Sequence, residues 1–270
     1  MKVLLLLGNH PRHRFLVEPI FKIFSNIKCI VMDRESYLTG PNYRYVNNKE
    51  KKLIQKHFKI RFEKERDVFG TNDIYSITAL ENIKKVSKEN SNSNKIVNYV
   101  TKFKPNVCFI VGYGIISKKL MKILPRKTIN IHLGLSPWYR GAATLFWPTY
   151  NMEPWKTGVT FHKINKFADS GDILHQCVPK FDSEWGVIDT SVNAIKHAQK
   201  DFKLIAISIL NKKKLIFTKQ PFVGRSYLTK SFRGTHLIQI YEKFQDKVLK
   251  YFMKNKFSFP KVKLIKMKFK

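Results

Sequence analysis

Residues 3–7 read Val-Leu-Leu-Leu-Leu, an apolar run without interruption between Lys2 and Gly8. A strand with one face in water alternates polar and apolar side chains; a run with no alternation must be covered on both faces, as a central parallel strand is. A parallel neighbour requires a crossover, usually a helix, so this run points to an α/β layer fold. The next residues supply the crossover. Phe15, Leu16, Ile20, Ile23, Phe24 and Ile27 recur at helical spacing, and residues 29–32 form a second short apolar run. The opening therefore reads β-α-β, and ligands of such sheets bind beyond the carboxyl ends of the strands. That places the loop His10-Pro11-Arg12-His13-Arg14 near an anionic substrate.

The same reading continues along the chain. Residues 33–48 are polar with a Gly40-Pro41-Asn42 loop signal, and 49–66 form a charged surface helix. Residues 88–95 are a connector, and 96–103 a helix that stops before Pro105. Residues 107–111 are another buried strand, which runs into Gly112-Tyr113-Gly114, and Ser117 caps a short helix to Leu124. Strands are expected at 128–132, 157–164 and 173–178, and a helical region at 182–210 with Asp189 or Thr190 as its cap. From Asn211 the character changes to short apolar runs, and lysines at 261, 263, 266, 268 and 270 make the tail a basic edge strand or a frayed segment that touches phosphates. Residues 1–205 are thus expected to form the catalytic domain and 206–270 a small basic extension.

Composition bounds the partners. With 51 Lys+Arg against 19 Asp+Glu the formal charge is +32, which attracts nucleic acid, nucleotide phosphates and anionic lipid. The lysines are nevertheless spread through almost every segment among many Ile and Asn residues, a pattern that biased composition alone produces. Cys29, Cys108 and Cys177 show no metal-ligand spacing and read as reduced core residues of a cytoplasmic protein, with no metal site expected. The apolar start is too short for a signal peptide, and no run approaches the roughly 20 residues that span a bilayer.

Chemistry concentrates between residues 128 and 172. Asn130 and His132 are two apart in a strand-type run, so their side chains share a face, and Gly134 and Pro137 end the run in a loop. Asp169 follows in the turn Asp-Ser-Gly-Asp, where its carboxylate can reach the imidazole. Singly, each has a plain structural role: Asn130 closes a loop, His132 is a satisfied core histidine, Asp169 is a turn residue. Jointly, and with no serine or cysteine nucleophile in the motif, they suit acyl transfer to an amine. An amide N–H or imidazolium steadies a tetrahedral oxyanion, and the carboxylate holds the imidazole in its working tautomer.

Asn-Ile-His, the Leu-Ser-Pro-Trp-Tyr-Arg-Gly run and Asp169-Ser170-Gly171-Asp172-Ile173-Leu174 resemble the formyltetrahydrofolate-dependent formyltransferases, the family of the methionyl-tRNA, glycinamide ribonucleotide and sugar-amine enzymes. The resemblance covers about residues 1–200. It implies a Rossmann-like domain with a mostly parallel sheet and 10-formyltetrahydrofolate as formyl-donating cosubstrate. It also implies that Asn130, His132 and Asp169 are catalytic and that Tyr113, Gly114 and Ile115 line the pterin pocket, largely through backbone groups. One departure is that His132-Leu133-Gly134-Leu135-Ser136-Pro137 replaces the commoner His-Pro-Ser-Leu-Leu-Pro. The tRNA-acting relatives carry a β-barrel after the catalytic domain and a basic insertion near the first strands, and the purine-pathway relatives end near residue 200. A nucleotide-linked amino sugar is therefore the expected acceptor, its diphosphate met by His10, Arg12, Arg140 or the tail, with Trp138, Tyr139 and Trp147 available to pack on sugar or base. The alternatives are methionyl-tRNA, a non-catalytic nucleic-acid-binding protein on this scaffold, and a lipid-linked amine. A homodimer is also an expectation.

Overall fold

The computed structural model describes residues 1–33, 46–71, 74–254 and 259–268. The Gly40-Pro41-Asn42 loop and the end of the tail lie outside the described residues. Five parallel strands form the centre: β1 (Lys2–Gly8), β2 (Asn26–Met32), β3 (Ile83–Val86), β4 (Val107–Val111) and β5 (Thr128–His132). Leaving β6 to the short run Tyr139–Gly141, β7 (Val159–Lys163) and β8 (Ile173–Cys177) add antiparallel on the β5 side, giving the order β3-β2-β1-β4-β5-β7-β8. The α/β expectation holds, and the switch in strand order falls between β1 and β4.

The uninterrupted run of β1 is explained by its two covers. Val3, Leu5 and Leu7 enter one core with Leu16, Val17 and Ile20 of α1 (Pro11–Ile23), Leu53 and Ile54 of α2 (Asn48–Phe69), and the long helix Val187–Leu210. Leu4 and Leu6 enter the other, under Ile96, Val97 and Val100 of α3 (Asn94–Phe103) and Leu120 of α4 (Lys118–Ile123). The cap at Ser117 is as expected, with the Leu120 N–H donating to its Oγ at 3.2 Å. Ser117→Ala is expected to cost about 1 kcal/mol, measurable in urea unfolding.

Several elements differ from the sequence reading. Helix α1 starts at Pro11, whose fixed φ and missing N–H suit a first helical position, so Arg12–Arg14 are helical and not loop. Strand β3 carries Lys84 and Lys85 within Ile-Lys-Lys-Val and shows no apolar signal. After the one-turn helix α5 (Trp147–Tyr150), α6 is the helix Val187–Leu210, capped at Gly186, with Asp189 accepting from the Gly186 N–H at 3.2 Å. It runs through the 205/206 boundary, and Ile205, Ala206 and Ile209 are all buried.

The chain beyond α6 is stitched to the sheet. Strand β9 (Arg225–Tyr227) pairs in parallel with β6. Leu237 of α7 (Gly234–Ile238) and Val248 of α8 (Val248–Lys254) belong to the larger core. The outer edge of β8 is covered at Ile173 by a bridge to Thr218 and further along by the tail, where Gln176 N–H donates to Ile265 O at 2.8 Å and Met267 N–H to His175 Nδ1 at 3.1 Å. The tail lies on the edge without forming a regular strand, which still closes the edge to other chains.

Candidate active site

Asn130 and His132 project from the carboxyl end of β5, and the antiparallel register sets His162 opposite Asn130 and Thr160 opposite His132. Asp169 stands in the turn after β7 with a φ of 50°. Its Oδ1 accepts from Asn130 Nδ2 at 3.1 Å, its Oδ2 lies 3.3 Å from His132 Nδ1, and that same Oδ2 accepts from the Gly141 N–H at 2.9 Å. The three expected residues therefore meet on one carboxylate. Gly141 is required there: its φ is +92°, and a Cβ would lie 2.1 Å from Tyr227 O.

The partners fix the protons. Asn130 Nδ2 also contacts His162 Nε2 at 3.0 Å, and His162 Nδ1 lies 2.7 Å from Lys163 O. A carbonyl only accepts, so His162 carries its hydrogen on Nδ1 and receives one from Asn130 on Nε2. Both N–H groups of Asn130 are thus engaged, and its Oδ1 is the atom left to meet a ligand, a difference from the expected N–H donor. His132 Nε2 donates to Tyr139 O at 3.0 Å, which leaves Nδ1 facing Asp169. Burial pushes the His132 imidazole below its ordinary value, against the pull of Asp169. Burial would raise the Asp169 carboxyl, but the His132 and His162 rings and the Gly141 N–H outweigh it and hold it well below the usual carboxylate range. The site rests as a carboxylate beside a poorly basic imidazole.

The loop that comes after β5 is tied down from β7. Thr160 Oγ1 donates to Gly134 O at 2.8 Å and accepts from the Ser136 N–H at 2.9 Å.

Other expected residues divide. The exposed Gly114 and Ile115 follow β4 at the strand ends, and Gly114 has a φ of +100°, with the Met32 side chain 3.6 Å from where a Cβ would stand. Tyr113 is buried in the smaller core, its hydroxyl donating to Ser91 O at 2.7 Å, so its backbone is what it offers to the strand-end loop. Arg12, expected to meet the diphosphate, is engaged in an ion pair. It is 7% exposed, and its Nη1 donates to both oxygens of Glu65, at 3.0 and 2.8 Å, which joins α1 to α2. His10 is half-buried at the start of α1. Arg140 Nη2 donates to Gly224 O at 3.1 Å while its Nε is buried without a partner. The sequence reading missed His162; its alternation with Thr160 in 157–164 places both on one face, but only the register with β5 shows what that face meets. His13, read as part of the loop after β1, fills the gap between the ends of β1 and β4 with its ring, and a Cβ on Gly112 would come within 2.2 Å of it.

Among the described residues no group of three or more His, Cys, Asp or Glu is placed to hold a metal, and no helix is long and apolar enough to cross a membrane. Cys29, Cys108 and Cys177 are free and buried.

Bifunctional polymyxin resistance protein ArnA of Wigglesworthia glossinidia brevipalpis is 36% identical over 125 residues, which is 46% of this chain and 18% of that protein. Methionyl-tRNA formyltransferase of Desulforamulus reducens is 34% identical over 82 residues, 30% of this chain and 26% of that one. The chain thus spans well under half the length of either relative. Among solved structures, the N-formyltransferase from Helicobacter canadensis in complex with folinic acid and dTDP-3-aminofucose shares the fold, with a TM-score of 0.52 and 18% identity over 86% of this chain and 72% of that one. Residues 43–201, more than half of the chain and inclusive of β5 and the Asp169 turn, match the formyl transferase family, and to that family the chain belongs.

Proposed function

We propose that the chain moves a formyl group from 10-formyltetrahydrofolate to a primary amine, and that the amine is carried by a nucleotide-linked sugar. The observation that carries this reading is the meeting of Asn130 and His132 on the Asp169 carboxylate in a chain of this family. When bound, 10-formyltetrahydrofolate supplies an activated formyl carbon. The exposed backbone of Gly114 and Ile115 beside β4 fits a flat pterin that is held through main-chain groups.

The roles of the side chains follow from their protons. Asn130 Oδ1 accepts from the incoming amine and orients its lone pair. His132, neutral at rest because it is buried, takes the proton that the amine releases at Nδ1. As an imidazolium it donates from both nitrogens, to Tyr139 O and to Asp169, its charge offsets the developing oxyanion, and as the bond from the formyl carbon to N10 breaks it returns the proton to N10 of the departing tetrahydrofolate. Asp169 stabilises that cation and remains a carboxylate throughout.

Two features support an amino-sugar acceptor. Trp138 and Phe222 pack edge to face at 5.6 Å, with Phe222 46% exposed, and offer an apolar platform near Arg140 and Arg225. The Helicobacter canadensis protein of the same fold was crystallised with dTDP-3-aminofucose. His10 and Arg140 stay as the cations proposed for the diphosphate. Methionyl-tRNA is the second reading, favoured by the +32 charge and by the Desulforamulus reducens match. Turnover with 10-formyltetrahydrofolate against nucleotide-linked amino sugars and Met-charged initiator tRNA separates them. Tetrahydrofolate release with a sugar panel member is expected; release with tRNA alone would replace the first reading by the second.

A further inference from the structure

Asp169 is the group on which the site converges, yet its backbone is in the left-handed region, with a φ of 50°, where a non-glycine residue needs outside support. Ser170 braces the turn from within, its Oγ donating to Asn165 Oδ1 at 2.8 Å, but the Asp169 carbonyl is held from outside it. Ser136 Oγ donates to the Asp169 carbonyl at 3.1 Å. The second donor is Gln220, which lies beyond α6 in the segment leading to β9. Its Nε2 donates to Asp169 O at 2.9 Å and to Gly171 O at 3.0 Å, and so spans the two carbonyls that flank Ser170. The segment holding Gln220 is itself anchored on both sides: Thr218 exchanges backbone hydrogen bonds with Ile173 at 2.7 and 2.8 Å, and Gly224 packs so closely on Pro137 that a Cβ would lie 1.6 Å from its carbonyl oxygen.

We propose that Gln220 is a positioning residue for the transfer reaction, and that the segment after α6 thereby takes part in catalysis by fixing Asp169 against His132. The inference rests on the catalytic reading above, but its geometry is independent of which amine is the acceptor. Both protons of the Gln220 amide nitrogen are used on the turn, so a side chain of equal size without donors frees the Gly171 carbonyl and leaves the Asp169 carbonyl to Ser136 Oγ alone. The Asp169 carboxylate then relaxes away from His132 and Asn130. Displacement of a reacting group by about 1 Å can cost about 10²-fold in rate.

The test compares Gln220→Leu and Gln220→Glu with the unaltered protein. Gln220→Glu sets a carboxylate against two carbonyl oxygens and is the stronger perturbation. A drop in kcat of about tenfold to a hundredfold with KM for the acceptor little changed is expected for Gln220→Leu. A second readout needs no substrate: NMR titration of His132. The groups that face its ring are Asp169 from the turn, His162 from β7, and Arg140 with the Tyr139 carbonyl from β6. Asp169 is the one among the side chains that raises its pKa, so its withdrawal lowers the titration midpoint in Gln220→Leu, the variant that adds no charge of its own. An unmoved His132 midpoint in folded Gln220→Leu, or a kcat loss that merely tracks the fraction unfolded by circular dichroism, would overturn the proposal. If the unaltered protein shows no transfer activity while the midpoint still falls, the positioning stands and the catalytic reading fails.

Discussion

His132→Ala is expected to lower kcat by about 10²–10⁴-fold while leaving the fold intact, the range for removal of a positioned acid or base. The ring is 7% exposed, its Nε2 donates to a backbone carbonyl and its Nδ1 meets Asp169, so little freedom remains for another group to take its place. Because burial holds the imidazole below its ordinary pKa, the base is already unprotonated at neutral pH. Activity is therefore expected to persist below the pH at which an ordinary histidine, with a pKa of about 6.5, would be half protonated. Steady-state turnover between pH 5 and 8 checks both points. Retention of more than about a tenth of the activity in His132→Ala would remove His132 from the proton path.

The second large effect lies far from the chemistry. Glu65→Gln is expected to destabilise the protein by about 3–5 kcal/mol, the usual result of leaving a buried cation without its counter-charge. Glu65 is 3% exposed and sits between Arg12 and Arg61, the latter donating from Nε at 2.8 Å. Burial would raise its carboxyl, but the two guanidinium groups win and bring it down to about 2. The folded value is thus below the unfolded one of about 4.3, so the contribution is complete above about pH 4.3 and is lost as pH falls through about 2. Urea unfolding at pH 7 gives the size of the effect, and the same experiment towards acid gives its pH dependence. A loss below about 1 kcal/mol at pH 7 would mean that the Glu65 charge is not what holds Arg12 in place.

How much of this was legible in the sequence depends on how local each cause is. The strand β1 announced its burial because no residue in it breaks the apolar run, and Ser117 announced a helix because a cap acts three residues ahead. Asn130 and His132 were legible as a pair because a spacing of two in a strand is geometry, and Asp169 stood out in its turn. The pairing of Arg12 was not legible since the carboxylate it meets is on another helix, and His162 was missed because only the β5–β7 register brings it to Asn130. The tail has the same explanation: its lysines suggested an edge strand, while the bonds that hold it come from Gln176 and His175 of β8. The capping of α6 by Gly186, with Asp189 reaching back, was off by a turn because glycine carries no side-chain signal.

The central claim is that the Asp169-centred group transfers a formyl unit to an amine. Its most direct test is transfer of an isotope-labelled formyl group from 10-formyltetrahydrofolate, followed in parallel with the unaltered protein and with Asp169→Asn. The account predicts label in the amine acceptor with the former and a loss of at least about 10²-fold with the latter. Equal labelling by the two proteins, or folate binding with no labelled product from any amine, would contradict it.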